Sequence, residues 1–539
     1  MTRKKLLSLF FVTLVLSFVA NPIFAQVNES EIRSVAGDTV EFINYNGPHA
    51  VINTLDQIKS IGTGLGKVVA PNRDANTTAG EKNRYYVIHA VDPTTEEKLD
   101  ADILFIGENA GVDHIRNLRH IIAAYLVAAY EYSEADAQTL AVFITVYNAV
   151  YRGNMEVFQS RYKGIVTDHL TAHVGLALNY QDWPGKSQII IPLGSTAGGL
   201  GTVDTTVISG KEVIDSMREE EDMGIEDRKD LVDIKEREAD LAEEKAIEAQ
   251  EEAAQEVEKL KEEQQELREA QKEATEAKQE AQQAQAEAQR NPNDEQAQQR
   301  AEEAQQKADE AQKAVEEQKQ VVEEQKQVVE DKQKEATEQQ EIADQKREEA
   351  RHDRAEIAKD QQKLIEKGYS DTEGVFGLNY LDDEYSVLVK LDKTNGNLLK
   401  ESPVTVIRGR TIVPAGENFI AVAGTNSGNG AVKLVLLDTV NMEIIGQSNE
   451  EASEKSVLVK DGNAYYAVIK DGGNWLIGKY NAELQLQMKS KIAVHETTPI
   501  TLTESGLIVT VPQGVPKLLS YTDLSLVDKK NPVKALNEK

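Results

Sequence analysis

The spacing of hydrophobic and polar positions changes character three times along this chain of 539 residues. Between about 26 and 210 the pattern is mixed. Residues 85–91, 103–106 and 188–193 are short runs rich in Val, Ile and Tyr, and they predict three strands of a small sheet. Two apolar stretches with helical spacing lie between them, 112–130 and 133–151. Ser133 is a suitable N-cap, with Asp136 placed to return the bond, and Gly153 stops the second helix. Arg116, Arg119 and His120 interrupt the first stretch, and Glu131, Glu134 and Asp136 divide the two. Both are therefore read as buried core helices rather than membrane spans. The glycine-rich link 194–201 reads as a loop leading out of this region.

From about 211 to 368 the chain is almost entirely Glu, Gln, Ala, Lys and Arg, all strong helix formers. One breaker interrupts it, Asn291-Pro292-Asn293-Asp294, which predicts a turn between two arms. Each arm would be about 110 Å long at 1.5 Å per residue. Alanines 270, 274, 277, 281, 284 and 288 alternate steps of four and three, as do 297, 301, 304, 308 and 311 with Val315. That is the seam of a left-handed coiled coil. The word Val315-Glu316-Glu317-Gln318-Lys319-Gln320-Val321 recurs from Val322 to Val328. If the chain folds back at the turn, partners have a constant position sum. Leu267 with Val315, Leu260 with Val322, and Ile225 with Ile357 each give 582, and Leu241 with Ile342 gives 583. The expectation is an antiparallel hairpin; a parallel dimer and a lone charged helix are the alternatives. Alanine buries little surface per layer, so the tip is expected to be the least stable part.

From about 369 to 539 strands of Val, Leu, Ile and Thr recur. Leu391, Leu437, Tyr480 and Tyr521 mark equivalent strands at steps of 46, 43 and 41. Each has an apolar strand before it, and a polar turn with a shorter strand follows. This spacing predicts propeller-like repeats, with a β-sandwich as the alternative. The chain is thus expected to be multidomain: a signal segment (1–25), an α+β N-terminal domain (26–210), a coiled-coil hairpin (211–368, turn at 291–294) and an all-β C-terminal domain (369–539).

Composition narrows the setting. Arg3, Lys4 and Lys5 precede the apolar run from Leu6 to Ala20, and Ala25 stands before a polar stretch, which is the layout of a secretory signal peptide. There is no cysteine, which excludes disulfides, thiolate metal sites and lipid attachment at a cysteine. A net charge of −32 argues against a nucleic-acid partner. Protein or envelope components are the expected partners, and no transmembrane helix is expected after signal cleavage.

Two motifs tempt a chemical reading. Gly62-Thr63-Gly64-Leu65-Gly66-Lys67 resembles a phosphate loop, but Val68 stands where a Walker loop needs Ser or Thr, so the segment reads as a turn. His169 and His173 would share one helix face, but Leu170 replaces the glutamate of a zinc peptidase, so they read as ordinary helix histidines. No catalytic, cofactor-binding or metal residue is assigned and no cofactor is expected. An enzyme in the N-terminal domain would need a pocket lined by His49, His89 or Arg119.

The segments Val40-Glu41-Phe42-Ile43-Asn44-Tyr45-Asn46-Gly47-Pro48, Asn117-Leu118-Arg119, 147–153 and 183–193 resemble the Borrelia 83/100-kDa antigen family of spirochaetes. The resemblance covers most of residues 27–195, and the C-terminal Leu437-Asp438 repeats also resemble that family's tail. The middle departs from it, being rich in Ala and Gln where the family is rich in Lys. The resemblance implies a spirochaete envelope or periplasmic antigen and brings no catalytic residues. The expected function is a structural or interaction protein, not an enzyme, in the periplasm or cell envelope and not lipidated. The alternative is a module binding a peptide, glycan or peptidoglycan component through the C-terminal repeats.

Overall fold

The structure, a computed structural model, describes residues 40–49, 55–94, 98–194, 202–220, 222–366, 374–425 and 431–527. The signal segment 1–25, positions 195–201 of the glycine-rich link and residues 51–54 lie outside the described residues. The N-terminal part is α+β. Helix α1 (Leu55–Val69) precedes β1 (Thr77–Gly80), β2 (Tyr85–Ala90) and β3 (Asp100–Ile106). Then come α2 (Ile115–Tyr130), α3 (Glu134–Val150), α4 (Met155–Arg161) and α5 (Gly164–Thr167), and β4 (Ser187–Leu193) completes an antiparallel sheet in the order β1-β2-β3-β4. Every residue of β4 is buried, and from Ile189 to Leu193 it is an apolar run without alternation. Asn148 ties α3 to this strand, donating to Ile190 O and accepting from Ile190 N, both at 2.8 Å.

The three expected strands are present, and the helix ends follow their caps. Helix α2 begins at Ile115 rather than Val112, because the His114 side chain caps it by accepting from Arg116 N. Ser133 caps α3 as expected, accepting from Asp136 N at 3.1 Å. The Asp136 carboxylate turns outward to pair with Arg237 on the rod. Gly153, at φ +69°, follows α3 in the left-handed region.

Two expectations are corrected. The Gly62–Lys67 segment is not a turn but the middle of α1. Its glycines are there for close packing: a Cβ at Gly62 would lie 2.0 Å from Ile121 O, and one at Gly66 would lie 2.7 Å from Tyr125 O. Glycine lets the backbones of α1 and α2 approach, and the surrounding helix tolerates its propensity cost. His169 and His173 are not on a helix face. Helix α5 ends at Thr167, and both histidines are exposed in the turns that follow.

After α6 (Thr205–Ile208) and α7 (Lys211–Met217), two helices form the rod, α8 (Ile225–Arg290) and α9 (Glu295–Glu366). They pack along their length as an antiparallel hairpin, so the parallel-dimer and lone-helix alternatives fall away. Asp294 caps α9 by accepting from Gln296 N at 3.0 Å. One seam is apolar throughout. On α9 it is Ala301, Ala308, Val315, Val322, Val329, Ala336, Ala343, Ala350, Ile357 and Leu364, all buried at strict intervals of seven. Facing it, Ile225 and Val232 pack with Ile357 and Ala350, which keeps the sum of 582.

The second seam changes along the rod. Near the tip it is alanine, Ala277 with Ala304 and Ala311. Toward the base it becomes a polar ladder. Gln325 donates to Glu256 at 2.6 Å, Lys332 pairs with Glu252 at 2.8 Å, and Lys346 pairs with Glu238 at 3.0 Å. Lys235 then pairs with Asp353 at 2.8 Å and Arg228 with Asp360 at 2.9 Å. A slip of the arms would leave these partly buried charges unpaired, so the ladder fixes the register that an all-alanine seam leaves weak.

The C-terminal part is all-β, in four successive units. The first is β5 (Gly374–Tyr380), β6 (Tyr385–Asp392) and β7 (Leu398–Glu401). The second is β8 (Ile407–Ala415), β9 (Asn418–Ala423), β10 (Lys433–Leu437) and β11 (Ile444–Gln447). The third is β12 (Val459–Asp461), β13 (Ala464–Asp471), β14 (Asn474–Tyr480) and β15 (Leu486–Lys489). The fourth is β16 (Thr501–Thr503), β17 (Gly506–Thr510) and β18 (Pro516–Leu519), with Leu526 bridging to Leu519. The repeat is visible in the backbone. Gly396, Met442, Leu484 and Leu524 all have positive φ, each two residues before Leu398, Ile444, Leu486 and Leu526. Neighbouring units share a core, first with second, second with third, and third with fourth. All the sheets are antiparallel, and among the described residues none closes into a barrel or propeller.

Candidate functional site at the base of the rod

The polar side chains that sequence reading singled out do not converge. His89 lies inside the N-terminal sheet. Its Nδ1 is 2.6 Å from Asp102 Oδ1 and its Nε2 is 2.8 Å from Arg73 O. Both ring nitrogens face acceptors, so both carry protons. Burial opposes the charge, but the hydrogen bond and charge of Asp102 outweigh it and raise the His89 pKa. Tyr125 and Tyr130 donate to Asp102 Oδ2 at 2.6 and 2.5 Å. Burial and the Asp102 charge hold both phenols well above their usual pKa. The network is closed: no ring nitrogen is free to take a proton, so it braces the sheet and cannot act as a general base.

His49 is elsewhere, on the segment that meets the β-region. Its backbone N–H donates to Gln447 Oε1 at 2.6 Å, and Gln447 Nε2 donates to its carbonyl at 2.5 Å. The amide thus caps the edge of β11 in the manner of a strand. Beside it, Arg116 reaches Glu443 and Asp438, both at 3.1 Å, and Asn46 donates to Thr405 at 2.9 Å. Arg119 donates to Thr145 and lies over the Phe42 ring. The contacts of His49, Arg116 and Asn46 dock the N-terminal region against the second β-unit and the loop that leads into it.

Two histidines at and beside the start of α2 are shifted by burial. Burial, then the neighbouring His49 and Arg116 charges, push the His114 pKa down to about 3. Burial, then Arg116 and Lys59, lower His120 to about 4. A folded-state value below the unfolded one means the unfolded chain takes up the proton first, so stability is lost as pH falls below about 6.5. Each histidine then costs about 2 kcal/mol between pH 7 and pH 5. His89 has the opposite sign: its contribution is present in acid and lost as pH rises through its folded value. Urea denaturation of a His114→Gln, His120→Gln variant should show a flatter loss of stability from pH 7 to 5 than the parent. An unchanged slope would rule the two histidines out.

The densest cluster joins α7 to both arms of the rod. Asp360 is fully buried and accepts from Arg218 Nε at 2.8 Å, Arg228 at 2.9 Å and Lys363 at 2.8 Å. One turn earlier on α9, Arg218 also pairs with Glu356 at 3.1 Å. Higher up, Thr205 donates to Glu238 at 2.8 Å, and Lys346 donates to Thr205 at 2.7 Å. Sequence reading missed this cluster, although Arg228, Lys235, Asp353 and Asp360 recur at seven-residue steps where a seam is otherwise apolar.

Among the described residues no group of three His, Asp or Glu could hold a metal ion, and no helix is long and apolar enough to cross a membrane. An open groove bounded by Gln285, Ala301, Gln305 and Lys313 runs along the tip and includes none of His49, His89 or Arg119. The site is therefore a joint, where the N-terminal region, the rod and the β-units meet.

No curated protein matches the chain. The profile of the family described as Borrelia P83/100 protein matches residues 29–501, spanning the N-terminal region, the whole rod and most of the β-units. On that match, the chain belongs to the Borrelia P83/100 protein family.

Proposed function

We propose that this protein is a non-enzymatic, antigen-type structural and interaction protein of the cell envelope. It presents a coiled-coil tip far from a folded base. The observation that carries the reading is the joint itself. Both arms return to one base, locked there by Asp360, Lys346 and Lys235. The tip stands about 100 Å away, at 1.5 Å per residue of α8. A rod so weakly apolar at its tip and so firmly fixed at its foot is suited to reach, not to catalysis. Export fits the basic residues and apolar run at the start of the chain, and the absence of cysteine fits a protein held by non-covalent contacts. The four β-units fit propeller-type repeats, and together with the N-terminal region they form the base that would hold envelope partners.

The tip turn gives a test. Arg290 to Asp294 are exposed between two helices, so trypsin should cut after Arg290. Cutting only after the outer membrane is permeabilised is expected for a periplasmic rod, and cutting on intact cells for a surface one. Recovery of the protein in the cytosolic fraction, protected in both cases, would sink the envelope reading.

A further inference from the structure

The four β-units are not equivalent. The second, third and fourth each begin with a strand that pairs with the next through a tight turn: β8 with β9, β12 with β13, and β16 with β17. The first unit has no such strand among the described residues. Its β5 pairs with β6 on one side only and forms the end of the seven-stranded sheet. Helix α9 runs to Glu366, and only residues 367–373 separate it from Gly374.

The open edge lacks the usual protection. The β5 sequence Gly-Val-Phe-Gly-Leu-Asn-Tyr carries no charge and no proline, and Val375 and Tyr380 are 51% and 58% exposed. The opposite end of the same sheet, β11, is capped by His49 and Gln447. An uncharged, unpaired edge of seven residues is a template for one more strand.

The shortest step of the repeat and the charge of the chain's last residues point to an occupant. From the last strand of one unit to the first strand of the next takes 9 residues (Leu398 to Ile407) or 15 (Ile444 to Val459, and Leu486 to Thr501). The nine-residue step from Leu526 lands on position 535, within the segment 528–539, which lies outside the described residues; the fifteen-residue step would pass Lys539. That segment contains Lys529, Lys530 and Lys534 ahead of Ala535 and Leu536. A strand antiparallel to β5 starts beside Tyr380, next to the exposed acidic turn Asp382-Asp383-Glu384. The lysines therefore meet opposite charge.

We propose that the open edge of β5 is the docking site of the chain's own C-terminal segment, residues 528–539, which supplies the first unit's missing strand. The contact links the first β-unit to the end of the fourth.

The chain has no cysteine, so an engineered pair is unambiguous. Asn379→Cys would be combined in turn with Val533→Cys, Ala535→Cys or Asn537→Cys in the full-length protein, and each variant oxidised. The expected result is a disulfide within one chain for at least one pair, found by mass spectrometry of the monomer. A disulfide only between two chains would overturn docking in cis in favour of strand exchange between copies. No disulfide in any variant would also overturn it. As a second measurement, deleting 528–539 should speed amide exchange across 374–380 about tenfold or more, with exchange in β13 unchanged as the sign of an intact fold. Unchanged exchange at β5 would overturn the proposal.

Discussion

Replacing Asp360 by alanine should lower stability by about 3–5 kcal/mol, because it strands two arginines that share one buried carboxylate. Asp360 is fully buried, and its partners come from α7, from α8 and from its own helix. Arg228 is itself 3% exposed, so it has no water to fall back on. Burial alone would raise the Asp360 pKa, but bonds from Lys363, Arg218 and Arg228 hold it well below the usual carboxylate range. With a depressed folded-state value, its contribution is present above the unfolded pKa of about 3.9 and is lost as pH falls toward the folded value. Urea denaturation followed by circular dichroism should therefore show the parent and Asp360→Ala converging in strong acid. A loss below about 1 kcal/mol at neutral pH would mean the cluster behaves as a surface pair.

The second large effect concerns two glycines two residues apart on α1. Gly62→Ala should cost about 3 kcal/mol, the upper end for overpacking, because the new methyl would meet backbone rather than a movable side chain. Its Cβ would stand 2.0 Å from Ile121 O and 2.7 Å from Tyr125 N. Gly64 faces open space, with nothing within 4 Å. There the same change should raise stability by about 0.5–1 kcal/mol through helix propensity alone. Melting temperatures that fall for Gly62→Ala and rise for Gly64→Ala would bear this out; equal changes would show that α1 does not press on α2.

Neither the Asp360 cluster nor the packing of Gly62 is legible in the sequence, whereas the rod and the buried strands are. The rod is legible because one period, seven, governs every layer, and a constant position sum ties Ile225 to Ile357, which pack together. The strands 85–91, 103–106 and 188–193 were legible because each is a short run rich in Val, Ile and Tyr, and the largely buried 103–106 and 188–193 are nearly continuous in apolar residues. Gly62–Lys67 was misread because glycine signals both a turn and a close approach, and only the partner helix distinguishes them. His169 and His173 were misplaced because α5 stops after four residues, too short for a helical face to register. The closed ring around Asp102 and the His49–Gln447 pairing were out of reach. The latter joins residues 398 positions apart, and no local period marks a single amide that substitutes for a strand.

The rod also makes its foot a pointing device. A tilt of about 5° at the base displaces a tip roughly 100 Å away by about 9 Å, nearly the width of a helix. The accuracy with which the tip can be aimed is therefore set by the angular stiffness of a few bonds around Asp360, not by the rod. Softening that hinge would let the tip sweep a wide arc while leaving both helices intact. The same few residues decide whether the protein meets its surroundings as a fixed post or as a swinging arm.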